Sequence, residues 1–321
     1  MTDLGMNERA AMLADRVMER AVELRVVVHT LASGARVIDA GVDTPGGLGA
    51  GLALAELCMG GLGHVELAPV AIAGDSWAGV QVWTDYPAES CMASQYAGWA
   101  IKVNDYFAMG SGPLRAKARV EQELFARLGY AEPAAARGVL LLEGRTLPTD
   151  EVATWVATKA GLAPSAITFV IAPTASVAGG VQVVARVIET ALHKMETLGF
   201  DLAKVLSAEG TAPVPPVAKN DIRAIGRTND CVLYGGQARF TMRGEDDELA
   251  KLASQLPATT SRDYGKPFYD TFKSYNNDFY KVDPLLFSPA EVWLTNVTSG
   301  RTFHAGLVNA VVLRASLYDN G

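Results

Sequence analysis

Cysteine and histidine are scarce in this chain of 321 residues. The three cysteines, Cys58, Cys91 and Cys231, stand far apart and form no Cys-x-x-Cys. That excludes a zinc ribbon, a thioredoxin-type redox pair and a disulfide framework, and it predicts buried free thiols in a reducing cytoplasm. There are four histidines and no His-Glu-x-x-His. Glu189 and His193 are four apart, which is too small a set for a metal, so no metal site is expected. The glycine-rich stretches lack the Gly-Lys-Ser/Thr of a P-loop. Gly47-Leu48-Gly49-Ala50-Gly51 has the wrong spacing for a dinucleotide fingerprint, and Gly-x-Ser-x-Gly is missing.

Charge of one sign is also modest, with 28 Lys and Arg against 35 Asp and Glu, a formal net of −7. No basic run is interleaved with aromatics, so nucleic acid is not an expected partner. The longest uncharged run, residues 160–185, is interrupted by Pro164, Pro173, Gly179 and Gly180. It reads as a strand, a loop and a helix start, and no membrane partner is expected. The first nine residues are polar and acidic, unlike a signal peptide. With 49% hydrophobic and 20% charged residues, the composition is that of a globular protein with a sizeable core.

Along the chain, residues 7–24 carry apolar side chains at helical spacing. Strands are predicted over 25–31 and 36–39, followed by a glycine-rich loop (41–49) and a short helix through Met59. Further strands are predicted over 64–73 and 79–84, a helix from Pro87 towards Tyr96, and one continuous helix over 115–128. After an Ala-rich stretch (131–137) come a strand over 138–143, a helix over 149–160 capped by Thr149 or Asp150, and a strand over 167–172. The linker-like stretch sets a domain division at 1–130 and 131–321, the second part ending in an aromatic-rich segment placed to pack back on the first.

The most informative stretch follows the last of these strands. Pro173-Thr174-Ala175-Ser176-Val177-Ala178-Gly179-Gly180 opens a long apolar helix that carries Arg186 and Glu189 one turn apart. Two readings stand side by side: a surface ion pair, or a buried carboxylate held charged by a neighbouring cation and fit to act as a base. A similar pattern, Gly46-Gly47 followed by an apolar helix and Glu56, occurs earlier. It suggests two similar α+β halves facing one another across a cleft. A polar cluster at 216–230 is either an irregular surface loop or a site for a polar heterocycle and an anion. The aromatics of 263–284 either line a pocket or pack between domains.

Several segments together resemble the methenyltetrahydromethanopterin cyclohydrolase family. They are Ser94-Gln95-Tyr96-Ala97-Gly98-Trp99, Met109-Gly110-Ser111-Gly112-Pro113, the 173–194 stretch, Gly226-Arg227-Thr228-Asn229-Asp230, Asp263-Tyr264-Gly265-Lys266-Pro267-Phe268-Tyr269 and Asp278-Phe279-Tyr280. The resemblance implies an α+β fold of two similar domains with a ligand pocket between them, assembled as a homotrimer in the cytoplasm. It implies a hydrolase of one-carbon metabolism with no prosthetic group and no metal. The substrate is a tetrahydromethanopterin derivative that carries a methenyl carbon as a cyclic amidinium, opened by water to the N5-formyl product. The implied roles are Glu189 as the base that activates water and Arg186 as the group that tunes it. Ser94, Gln95, Asn229 and Asp230 are candidates to hold the pterin, and Lys219 and Arg227 to bind an anionic tail. The modest charge is unlike a hyperthermophile's surface and fits a methylotrophic bacterium. A cyclohydrolase for a folate-type carrier and a non-catalytic pterin-binding protein are the alternatives.

Overall fold

The computed structural model describes residues 5–318, Tyr280 by its main chain alone; residues 1–4 of the N-terminal segment read above lie outside the described residues. In chain order the elements are α1 (Met6–Glu19), α2 (Ala21–Leu24), β1 (Val27–Thr30), β2 (Arg36–Asp39), α3 (Leu48–Cys58), β3 (Gly63–Ile72) and β4 (Asp75–Thr84). After a π-helix (Ala88–Gln95) come β5 (Trp99–Val103), β6 (Tyr106–Ser111), α4 (Pro113–Ala118), α5 (Gln122–Leu128), β7 (Gly138–Glu143), α6 (Asp150–Ala160), β8 (Ile167–Ala172), α7 (Val177–Val184) and α8 (Val187–Thr197). The remainder holds β9 (Val205–Pro213), α9 (Asp221–Gly235), β10 (Gln237–Met242), α10 (Asp246–Gln255), α11 (Phe268–Ser274), β11 (Glu291–Asn296), β12 (Thr302–Gly306) and α12 (Ala310–Tyr318).

The chain divides into two compact units: Met1–His64 with Glu89–Gln182, and Val65–Ala88 with Val183–Gly321. Each is an α+β unit built on a mixed six-stranded sheet, the fold class expected from the sequence. A cut at 130/131 falls inside the first unit, because β7 and β8 hydrogen-bond into the same sheet as β6 and β2. The two Gly-Gly patterns also belong together there. They follow β2 and β8, which are neighbouring parallel strands, so the pattern repeats within one sheet and not between halves. Gly51 of α3 lets these two connections close: a Cβ there would stand 2.6 Å from Val181 Cβ.

The first sheet runs β1-β2-β8-β7-β6-β5. Its inner strands β7 and β8 are parallel and almost wholly buried, which is why they read as continuous apolar runs. Ile38, Val139, Leu141 and Val170 face α1 and α3, while Val37, Leu140, Leu142 and Phe169 face α6. Each such side chain contributes about 1.5–3 kcal/mol on burial. Thr149 caps α6, its Oγ1 accepting the Val152 amide. The helix expected over 115–128 is instead two, because Arg119 takes a left-handed conformation (φ 47°) between α4 and α5. Fully buried Arg115 ties this corner down through an ion pair to Glu121 at 2.6 Å.

The second sheet runs β12-β11-β10-β9-β4-β3. One face, with Val82, Gly210, Ala238, Phe240, Val292 and Leu294, is buried, and α8, α9 and α10 pack on this sheet. On the opposite side of the pleat, Trp83, Glu209, Arg239, Trp293 and His304 stand in register across five strands. Arg239 lies 4.2 Å above Trp293, which stacks on His304. Most of the carboxy-terminal aromatics are packing residues: Phe268, Phe272, Phe279 and Phe287 form one cluster with centroid spacings of 4.5–5.9 Å. All three cysteines are free and buried, as expected. Among the described residues no helix is long and apolar enough to cross a membrane.

Candidate active site

The single long helix expected after residue 176 is two helices. α7 is rich in glycine and valine, both weak helix formers, and it stops at Val184. The Arg186 amide then makes a tightened bond to the Val183 carbonyl (3.1 Å), and α8 begins at Val187. Arg186 is the main-chain N-cap of α8. Its carbonyl accepts the Thr190 amide at 2.9 Å, so the turn from 186 is α-helical and keeps Arg186 and Glu189 on one side. Both are buried, at 8% and 5% exposure, which removes the surface ion-pair reading. Glu189 is the third residue of α8, where the unsatisfied amides of the helix start favour negative charge.

The position of this first turn is set by two missing side chains. A Cβ at Gly210 on β9 would stand 2.8 Å from Val187 Cγ1 and 3.2 Å from Ile188 Cγ1. A Cβ at Gly236, just after α9, would stand 3.1 Å from Val187 Cγ2. With Val187 and Ile188 thus seated against the sheet, Arg186 and Glu189 take the remaining side of the turn. One turn further on, the buried Lys194 fixes α8. Its Nζ donates to the carbonyls of Pro257 (3.0 Å) and Leu285 (2.6 Å) and to Thr260 Oγ1 (2.9 Å). Burial lowers the Lys194 pKa to about 8, against the pull of Asp283.

Ser94 and Gln95 end the π-helix, a rare form often found at functional sites. Both are buried. Ser94 Oγ donates to the Cys58 carbonyl at 2.6 Å, and the Ser94 carbonyl accepts the Gly112 amide at 2.8 Å. Arg115 donates to the Met92 carbonyl, so outside groups satisfy the loosened backbone.

The polar cluster at 216–230 is not an irregular loop beyond Asn220. The Asn220 side chain caps α9 by accepting the Arg223 amide at 3.0 Å. Lys219 is exposed just before this cap. Arg227 is half-buried and donates long bonds to the carbonyls of Pro216 and Val217. Asn229 turns its amide back to the Ile225 carbonyl at 2.8 Å. Asp230 is wholly buried; it accepts the Phe268 amide (2.8 Å) and Ser316 Oγ (2.5 Å), joining α9 to α11 and α12. Burial raises its pKa to about 7, outweighing those two bonds.

Ser94 and Gln95 therefore belong to the first unit, and Arg186, Glu189, Lys219, Arg227, Asn229 and Asp230 to the second. Arg186 and Glu189 share one turn; Arg227, Asn229 and Asp230 share one helix. Sequence reasoning missed Gly210, Gly236 and Lys194, which position α8, and Arg223 and Tyr269, which join Arg227 around a cavity. The spacing of Arg223 to Arg227 was the available signal for that last group. Among the described residues no group of three or more His, Cys, Asp or Glu is arranged to hold a metal.

The fold and this buried Arg–Glu turn define a two-unit α+β protein with a polar centre on a helix start. The family model described as Cyclohydrolase (MCH) matches residues 5–317, and the chain belongs to this family. It is 46% identical over 311 residues to the methenyltetrahydromethanopterin cyclohydrolase of Methylobacillus flagellatus, covering 97% of this chain and 94% of the relative. The proteins of that name from Methylobacterium organophilum (43% identity, 97% and 96% coverage) and Methanococcoides burtonii (39%, 98% of each) are similar along their whole lengths too.

Proposed function

We propose that this chain catalyses the reversible hydrolysis of N5,N10-methenyltetrahydromethanopterin to the N5-formyl compound, with Glu189 as the base. The observation that carries the reading is the burial of Glu189 beside Arg186 in the first turn of α8, in a chain whose relatives bear that activity in their names. The substrate is already an amidinium cation, so a carboxylate that accepts a proton and faces positive charge meets the chemical need.

In the hydration direction Glu189 takes a proton from water as the oxygen bonds to the methenyl carbon. The bond from that carbon to N10 then breaks, N10 receives a proton, and the hydroxyl loses its proton to become the formyl oxygen. One proton is released overall. Arg186 keeps Glu189 charged and oriented between turnovers. Ser94, Gln95, Asn229 and Asp230 serve the pterin side, Asp230 by holding the walls around Ser316, and Lys219 and Arg227 meet an anionic tail. The chain works as a homotrimer in the cytoplasm.

The test follows the decay of the methenyl chromophore with the parent protein and with Glu189→Gln. General-base assistance is worth ~10²–10⁴-fold, so kcat should fall by at least that order while KM changes little. Near-normal turnover by the variant would remove Glu189 from the role. Decay of a methenyl-folate at the same rate would move the reading to a folate-type carrier, and binding without decay would leave a pterin-binding protein.

A further inference from the structure

The outward face of the second sheet is composed unlike a surface that faces only water. Its six strands carry no lysine, the residue most used to keep exposed strands apart. One row of this face is Trp83, Glu209, Arg239, Trp293 and His304, in register from β4 to β12. Trp83 is 42% exposed, and the Glu209, Arg239 and His304 side chains are 45–49% exposed. Trp293 is flanked by two of them: the Arg239 guanidinium lies 4.2 Å from its ring centre, and the His304 ring stacks on it at 4.8 Å. The stack holds its rotamers before any contact is made, so little side-chain freedom is left to lose on association. The next row, Ser207, Thr241, Thr295 and Thr302, consists of short side chains.

Charges on this face are matched within it. Glu209 lies 3.8 Å from Arg239, while Glu291 stands 2.8 Å from His304 Nε2 and accepts Gln237 Nε2 at 2.7 Å. The chain as a whole carries a net −7, so copies repel one another over most of their surface. A face with both signs balanced is where that repulsion is least, and it is complementary to itself. Strands about 4.8 Å apart, at about 3.3 Å per residue, give it a footprint on the order of 600 Å². That approaches the ~800 Å² that each partner buries in a standard interface.

We propose that this face joins copies of the chain to one another, with Trp83 and the Arg239–Trp293–His304 stack at the contact. Tryptophan and arginine are enriched at the energetic centres of interfaces, and lysine is depleted there. In a three-fold assembly each face turns to the axis and meets both neighbours. The start of α8 packs on the opposite face, where Gly210 meets Val187, so the contact leaves Glu189 untouched. The inference rests on the proposed homotrimer only for the number of copies, and its test requires no turnover.

The experiment is analytical ultracentrifugation of the full chain over a dilution series, with far-ultraviolet circular dichroism to confirm folding. The parent should sediment as three chains. Trp83→Lys and Thr241→Lys each place a cation on the face without touching the core. Each should weaken association by about 30-fold or more, the scale of a hot-spot residue, and release single chains of 34.0 kDa. Should Trp83→Lys fail to fold, Thr241→Lys decides alone. Val22→Lys, at an exposed position on α2 in the first unit, should leave the mass unchanged. A parent of two chains that the variants separate would keep the face and replace the trimer. The proposal is overturned if the parent is a single chain, if the folded variants keep the parent's mass, or if Val22→Lys dissociates it as readily.

Discussion

Arg186 caps the helix in whose first turn Glu189 is buried, so the cation and the carboxylate are held by one short piece of backbone. Removing the guanidinium should do more than slow the reaction. Without it the charged carboxylate is less favoured, and the acid limb of the kcat profile should move to higher pH. Arg186→Ala should show the whole of that shift and Arg186→Lys only part of it. Profiles of unchanged shape with a uniform loss of rate would show that Arg186 only packs.

The seat of that turn is equally open to test. Gly210→Ala would force a methyl against Val187 Cγ1 and Ile188 Cγ1. Overpacking of this kind costs typically 1–3 kcal/mol. Because the displaced turn carries Glu189, kcat should fall by about 10²-fold in a protein that remains folded, the scale expected for a misplacement near 1 Å. Thermal melts beside steady-state rates separate the two effects. A variant with a lower Tm and full activity would uncouple the glycine from the site.

The elements easiest to read in the sequence were those that bury both faces or carry a cap. The strands over 36–39, 138–143 and 167–172 stand where their apolar runs placed them, and Thr149 caps α6. The break between α7 and α8, and the left-handed turn at Arg119, leave no local mark as strong as a proline. The division into units was hidden for a different reason. β3 and β4 leave the first unit for the second sheet, and residues 89–182 return to the first, so sequence order is not spatial order. Arg186 and Glu189 were visible because one turn of helix joins them. The cavity at Arg223 and Tyr269 was not, because only the fold brings α9 and α11 together.

Asp230 should make stability depend on pH. Its pKa is raised to about 7, by burial first and by the nearby Asp270, against the bonds from Ser316 and Phe268. Between the ordinary carboxylate range and pH 7 the folded chain holds a proton that the unfolded chain has lost. The contribution is complete below that range and disappears as pH rises through 7. Asp230→Asn can still accept the Phe268 amide and can donate to Ser316 Oγ. Its Tm should therefore gain on the parent steadily from pH 4 to pH 8. Parallel curves would mean that Asp230 does not titrate in this window.

Lys194 answers three acceptors with three ammonium protons, and of these the Pro257 carbonyl also accepts the Thr260 amide (3.1 Å) and hydroxyl (3.0 Å). Lys194→Met keeps much of the apolar stem but leaves the Leu285 carbonyl without its donor, while the Pro257 carbonyl keeps those of Thr260. Each unsatisfied buried group costs ~1–3 kcal/mol, and the lost ammonium adds no solvation to offset it. The expected loss is on the order of 2 kcal/mol, a fall in Tm of roughly 4–8 °C. Thr260→Val removes one of the three acceptors together with the hydroxyl's own bond to the Gln255 and Pro257 carbonyls, and should cost about 1 kcal/mol. If the two variants melt together, the main-chain bonds of Lys194 contribute little, and α8 is held by Val187 and Ile188 alone.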